Sequence, residues 1–220
     1  MRILAIDATS NFGSLALHEE GTTVEEMPLH STEGFSQVLF THIEQLLRRH
    51  EWPVSSIDLF AAASGPGSFT GVRVGLTAVK GLADALGKGA VGVSNLQALA
   101  SLGTRRIRGV VMDARRGEIY AAVYNEGLEI VAPEVVIPFG HWLQTAPPMD
   151  EIISPDFSAF RANFPLDIPI IEQRTLAAAI ARIGETMRPC DPALVDANYV
   201  RRSDAELFWT DKAASPSTTK

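Results

Sequence analysis

Three stretches carry residue types that could do chemistry. The first, Ser64-Gly65-Pro66-Gly67-Ser68-Phe69-Thr70-Gly71-Val72-Arg73, follows the apolar run Ile57 to Ala63 and opens a helical pattern reaching about Leu86. Backbone N–H groups at a helix start attract anions, so one reading is a phosphate loop. The spacing, however, is neither G-x-x-x-x-G-K-[ST] nor G-x-G-x-x-G, and no lysine follows where a Walker loop needs one. The other reading is a strand-to-helix corner built for close packing. Gly65, Gly67 and Gly71 let other backbone approach, Pro66 fixes its own φ, and Ser68 or Thr70 can cap the helix. The other two stretches are turns led by an aspartate, Asp7-Ala8-Thr9-Ser10 and Asp113-Ala114-Arg115-Arg116-Gly117. Each carboxylate can take N–H groups of its own turn.

Metal and thiol chemistry find little to work with. The five histidines (His18, His30, His42, His50, His141) include no i, i+4 pair that would share one helix face, and each reads as a surface or capping residue. Cys190 is the sole cysteine, which excludes an intramolecular disulfide and a cysteine cage.

The elements that position these groups belong to a chain of 220 residues, long enough for one larger domain or two small lobes. Its net charge of −7 argues against a stand-alone nucleic-acid binder, which needs a basic footprint. The first apolar residues are cut by Asp7, too early for a signal-peptide core, and no run approaches membrane-spanning length. A cytoplasmic protein without a membrane partner is expected.

Strands are expected over Arg2–Ala8, Phe12–His18 and Thr22–Leu29, then a helix from Glu33 to about His50, the strand at Ile57 and the helix from Thr70. A strand Ala90–Val93 and a helix Asn95 to about Leu102 close the first half. After Gly103-Thr104-Arg105-Arg106, a candidate hinge, the theme restarts with strands Ile107–Asp113, Glu118–Tyr124 and Leu128–Ile137. Leu176–Met187 is the clearest late helix. Two meanders in succession predict a duplicated, two-lobed α/β fold, with lobes over 1–103 and 104–212. The Ser/Thr/Pro/Lys stretch 213–220 is expected to be a disordered tail.

Both long helices of the first half carry more apolar surface than one sheet covers. In the first, Phe35, Val38, Leu39, Phe40, Ile43, Leu46 and Leu47 spread over roughly 200° of the circumference, where a helix on one core needs about half that. In the second, Val72, Leu76, Val79, Leu82 and Leu86 form one face. Gly71, Val74, Ala78, Gly81 and Ala85 make another of small residues, suited to close helix-to-helix approach. Arg73 and Lys80 lie on the narrow polar strip that remains. The second side needs a covering, either the other lobe or a partner protein.

Ile6-Asp7-Ala8-Thr9, Ser64 to Gly75, Gly92-Val93-Ser94, Asp113 to Tyr120 and the late Tyr199-Val200-Arg201 together resemble the TsaB (YeaZ) family. Phe35-Ser36-Gln37-Val38-Leu39-Phe40 departs from that family's usual His-Ser-x-x-Leu-Leu, and 138–170 matches none of its motifs. The resemblance implies a fold like actin, sugar kinases and Hsp70 (the ASKHA fold), with duplicated βββα-type lobes. It also implies a non-catalytic, cofactor-free subunit that pairs with the catalytic subunit TsaD and works with the ATPase TsaE. Together these threonylcarbamoylate adenosine 37 of tRNAs reading codons that begin with A, and tRNA is met only through the complex. The family's pairing face, used for TsaD or for a second copy in a homodimer, is the two-helix surface just described.

The related catalytic subunit carries a His-x-x-x-His metal pair, to which Asn95 and Leu99 correspond here, so that metal site is not expected. In folds of this type two aspartate-led loops hold phosphates. Arg115 and Arg116 stand where nucleotide-binding members have glycines, and no Gly-Gly pair exists for an adenosine pocket. An independent ATPase or small-molecule kinase working in the interlobe cleft is the alternative. Arg73, Lys80, Arg115 and Arg116 read as solvated charges or as contacts to a partner carboxylate or tRNA phosphate.

Overall fold

A computed structural model describes residues 1–161, 164 and 167–200. The expected tail 213–220 and Arg201 lie outside the described residues. In the first half, β1 (Arg2–Asp7), β2 (Phe12–Glu19) and β3 (Thr22–His30) form an antiparallel meander. Then α1 (Leu39–Arg49) leads to β4 (Leu59–Gly65), α2 (Phe69–Leu86), β5 (Gly89–Ser94) and α3 (Asn95–Ala100). The strands β4 and β5 add in parallel beside β1, giving the order β3-β2-β1-β4-β5.

The second half repeats the scheme. A meander of β6 (Ile107–Arg115), β7 (Glu118–Asn125) and β8 (Ile130–Pro138) is followed by α4 (Phe139–Thr145), β9 (Glu151–Ser154), α5 (Ser158–Arg161), β10 (Ile170–Glu172) and α6 (Ala177–Thr186). Its order, β10-β9-β6-β7-β8, is the first sheet's order read from the other edge. The duplication expected from the two meanders is therefore present.

Alternation of side chains across the strands explains the layering. On one face of the first sheet Leu4, Ile6, Leu15, Phe60 and Ala62 pack against α1 and α2. On the other, Ile3, Ala5 and Ala61 meet α3 and α6, which Val110, Met112, Ala122 and Ile153 of the second sheet cover from the far side. Phe139, Trp142, Phe157 and Phe160 close the outer face of the second sheet. Strand β4 is buried throughout, as a parallel strand covered on both faces must be.

The late helix α6 has no side-chain cap of its own. Its first turn is instead received by the first meander, where Ser14 Oγ accepts the N–H groups of Leu176 and Ala177 at 3.1 and 2.9 Å. Glu26 accepts that of Ala178 at 3.0 Å, a carboxylate at a helix N-terminus. At the far end Glu185 meets buried His18 at 3.0 Å. The crossover near Gly103 is also held, since Glu151 accepts the N–H groups of Thr104 and Arg105, each at 2.7 Å.

Two expectations differ from the structure: His18, read as a surface or capping residue, is buried in β2 where it meets Glu185, and the first helix starts later. The helix read from Glu33 begins at Leu39 instead. Gly34 takes φ +88°, and the Phe35 carbonyl accepts N–H groups from both Val38 and Leu39, so residues before Leu39 form a turn.

Candidate functional site

The corner after β4 is a packing device. Gly65 takes φ +105° and donates its N–H to Asn95 Oδ1 at 3.0 Å. The Ser68 N–H goes to the Thr9 carbonyl at 2.7 Å, and Ser68 Oγ caps α2 by accepting the Gly71 N–H at 3.3 Å. Pro66 is buried beside them. A Cβ on Gly67 would stand 2.7 Å from the Thr9 oxygen, and one on Gly71 only 2.1 Å from the Ala8 oxygen. The glycines thus allow the start of α2 to lie directly on the turn after β1, and these three N–H groups are committed within the chain.

Asp7 organises that turn. Its carboxylate accepts the Thr9 N–H at 2.9 Å and the Thr9 hydroxyl at 2.6 Å, and Thr9 Oγ1 in turn accepts from Asn95 Nδ2 at 2.6 Å. Burial pushes the Asp7 carboxyl up to about 6, against the downward pull of the Thr9 hydrogen bonds and with a further push from the Glu26 charge. Asn95 is buried and ties two loops together, and Leu99 is core. Among the described residues no three His, Cys, Asp or Glu side chains group as metal ligands would. In the second lobe Asp113 accepts the Arg115 N–H at 2.7 Å, and Arg115 and Arg116 both take left-handed φ, +63° and +58°.

Between α1 and α2 runs a groove of about 470 Å³, open to solvent. Of the residues singled out from the sequence, Leu39, Phe40, Val74, Ala78 and Arg73 line it. Phe40 stands 56% exposed on one rim, whereas Ala78, 4% exposed, forms the floor. Phe35 and Ile43 lie in the core beneath. Gly71 serves the contact with Ala8, and Gly81 and Ala85 are exposed farther along α2, outside the groove.

The opposite rim involves residues that sequence reasoning did not place in the face. Phe69, 47% exposed, lies under the Arg73 guanidinium at 3.7 Å, a cation–π contact. Arg73 Nε donates to the Tyr199 hydroxyl at 3.2 Å, and the Tyr199 ring stands 6.1 Å from that of Phe69. Phe69 is the first residue of α2, and its large apolar side chain directly after the Ser68 cap was the available signal. Lys80 donates to the Ala193 carbonyl at 3.4 Å, away from the groove.

Glu134 of β8 accepts hydrogen bonds across the lobes from Ser94 at the end of β5 and from Asn198 Nδ2 at 2.6 Å, and within its own lobe from the Tyr124 hydroxyl at 2.9 Å. Burial, with the Glu134 charge beside it, pushes the Tyr124 phenol well above its ordinary value. Among the described residues no helix is long and apolar enough to cross a membrane.

Two lobes, each a meander extended by two parallel strands, with helices between and outside the sheets, define an ASKHA-type fold. The family model for TsaD, tRNA N6-adenosine threonylcarbamoyltransferase, matches residues 24–195. The Bacillus subtilis tRNA threonylcarbamoyladenosine biosynthesis protein TsaB is 33% identical over 228 residues, covering 96% of this chain and 99% of that protein. The Escherichia coli TsaB is 36% identical over 130 residues, 57% of this chain and 55% of that protein. The solved YeaZ from Pseudomonas aeruginosa shares the fold, with a TM-score of 0.76 at 24% identity over 90% of this chain and 99% of that one. The chain belongs to the TsaB (YeaZ) family.

Proposed function

We propose that this chain serves tRNA threonylcarbamoyladenosine biosynthesis as a non-catalytic, cytoplasmic subunit. Through the α1–α2 groove it pairs with the TsaD threonylcarbamoyltransferase and activates it for modification of adenosine 37 in tRNAs reading codons that begin with A. The names of its relatives support the pathway. The observation that carries the docking role is the groove itself, with half-exposed Phe40 and Phe69 on its rims and Ala78 as its floor. Aromatic anchors beside an apolar floor are the usual centre of a protein interface. Docking there orders the partner's helices and shifts TsaD toward its competent arrangement. The same face serves a second copy when the chain is alone. TsaE and tRNA are met in the assembled complex.

The alternative, an ATPase or small-molecule kinase in the cleft, draws less support. Asp7 and Asp113 each bind their own turn, and Glu134 bridges the lobes directly. Sedimentation of the chain with TsaD tests the docking role. Phe40→Asp places a charge where an apolar ring would be covered, and is expected to weaken pairing at least about tenfold. Its melting temperature should stay put, because Phe40 is mostly in water. Ala78→Arg, filling the groove from below, should abolish pairing. Undiminished pairing in both variants refutes the reading.

A further inference from the structure

After α6 the chain turns back over the first lobe as a strap. Cys190 and Ala90 exchange two backbone hydrogen bonds of 3.1 Å, and Pro189 and Val195 press on Gly89 and Gly92, where a Cβ would come within 2.6 and 3.2 Å. The strap then reaches the corner before α2, where the Asn198 N–H donates to the Ser64 carbonyl at 2.8 Å. At this point its consecutive side chains divide. Asn198 Nδ2 binds Glu134 of the second lobe, and Tyr199 joins Phe69 and Arg73 on the groove rim.

The rim does not hold itself in place. Tyr199, Phe69 and Arg73 are all largely exposed, and one hydrogen bond with ring contacts between exposed groups does little more than offset the rotamer entropy of ordering them. The backbone that carries Tyr199 is tied to Ser64 through the Asn198 N–H, and the side-chain tie at the same residue goes to the second lobe. Glu134 is half-buried and receives three donors, Ser94 and Tyr124 on one oxygen and Asn198 on the other, so both of its oxygens are used as acceptors.

We propose that Glu134 is a positioning residue for the docking face: by holding Asn198 it fixes Tyr199, and through Tyr199 the Phe69–Arg73 rim. The inference rests on the docking reading above. It adds that the shape of the groove is set from the second lobe, so that the relation between the lobes is written into the surface a partner meets. A rim ordered in advance lowers the cost of binding.

Hydrogen exchange and pairing with TsaD test this together. Glu134→Met keeps the length of the side chain but offers no oxygen to the converging donors. It should speed exchange at the strap amides near Asn198 and in the first turn of α2, and weaken pairing about tenfold. Asn198→Ala, on the strap itself, should do the same without disturbing β8, and the double variant should be no worse than either single one. Tyr124→Phe removes another donor from the same carboxylate while leaving the strap bond, and should change neither readout. The proposal is overturned if Glu134→Met and Asn198→Ala leave exchange unchanged, or if Tyr124→Phe loosens the strap and rim as much as they do. If exchange rises as expected but the unaltered chain never pairs with TsaD, the positioning role stands and the docking reading falls.

Discussion

Asp7 makes the stability of this protein depend on pH in a direction opposite to that of a salt-bridged carboxylate. Its carboxyl rises from 3.8 to about 6 in the folded chain because it is buried at the end of β1. The folded state therefore binds this proton more tightly than the unfolded state does. Its contribution to stability is complete below pH 3.8 and is lost as the pH rises to about 6. The displacement corresponds to about 3 kcal/mol in full, of which about 2 kcal/mol falls between pH 4 and 7. Asp7→Asn retains an oxygen for the Thr9 N–H and hydroxyl but has nothing to ionise. Urea unfolding of both proteins across that range cancels, in the difference, the titration of every group that does not feel the Asp7 charge. The variant should gain on the natural chain by about 2 kcal/mol as the pH rises from 4 to 7, then run parallel to it. A difference that does not change with pH would refute the reasoning, since it would mean that the carboxyl is solvated in the fold.

Two further expectations concern packing. Gly71→Ala drives a methyl against the Ala8 carbonyl and should cost about 1–3 kcal/mol in thermal or urea unfolding. Gly81→Ala, on the same helix with open space around it, should stabilise by up to about 1 kcal/mol. Ser14→Ala leaves the N–H groups of Leu176 and Ala177 without their acceptor and should cost about 1–3 kcal/mol, with hydrogen exchange rising first at the start of α6.

Local signals are legible where a single element carries them. The apolar face Val72, Leu76 and Val79 of α2 is buried as its 3.6-residue spacing demands, and Gly87 ends the helix in the left-handed conformation. The two meanders show in their alternation and tight turns, and their repetition is enough to expect the duplicated fold. Where the periodicity runs past a breaker it misleads. Phe35 and Val38 continue the pattern of α1, but Gly34 forces a turn, and the Phe35 ring packs on Gly13 of β2 instead. What cannot be read at all is long-range pairing. Arg73 meets Tyr199 across 126 positions, and Ser14 reaches Ala177 across 163. No window of neighbouring residues contains either pair, so one rim of the groove and the cap of α6 become visible only in three dimensions.

The place of α6 has a consequence for how this protein is made. The first sheet ends at Ser94, yet the helix that shields Ile3, Ala5 and Ala61 starts only at Ala177. A ribosome adding 5–20 residues per second needs about 4–17 s to cross that interval. During it the nascent sheet presents an oily, unfinished surface covered only in part by α3. A fragment that stops at Ser94 would leave Ile3, Ala5 and Ala61 without the helix that covers them in the whole chain.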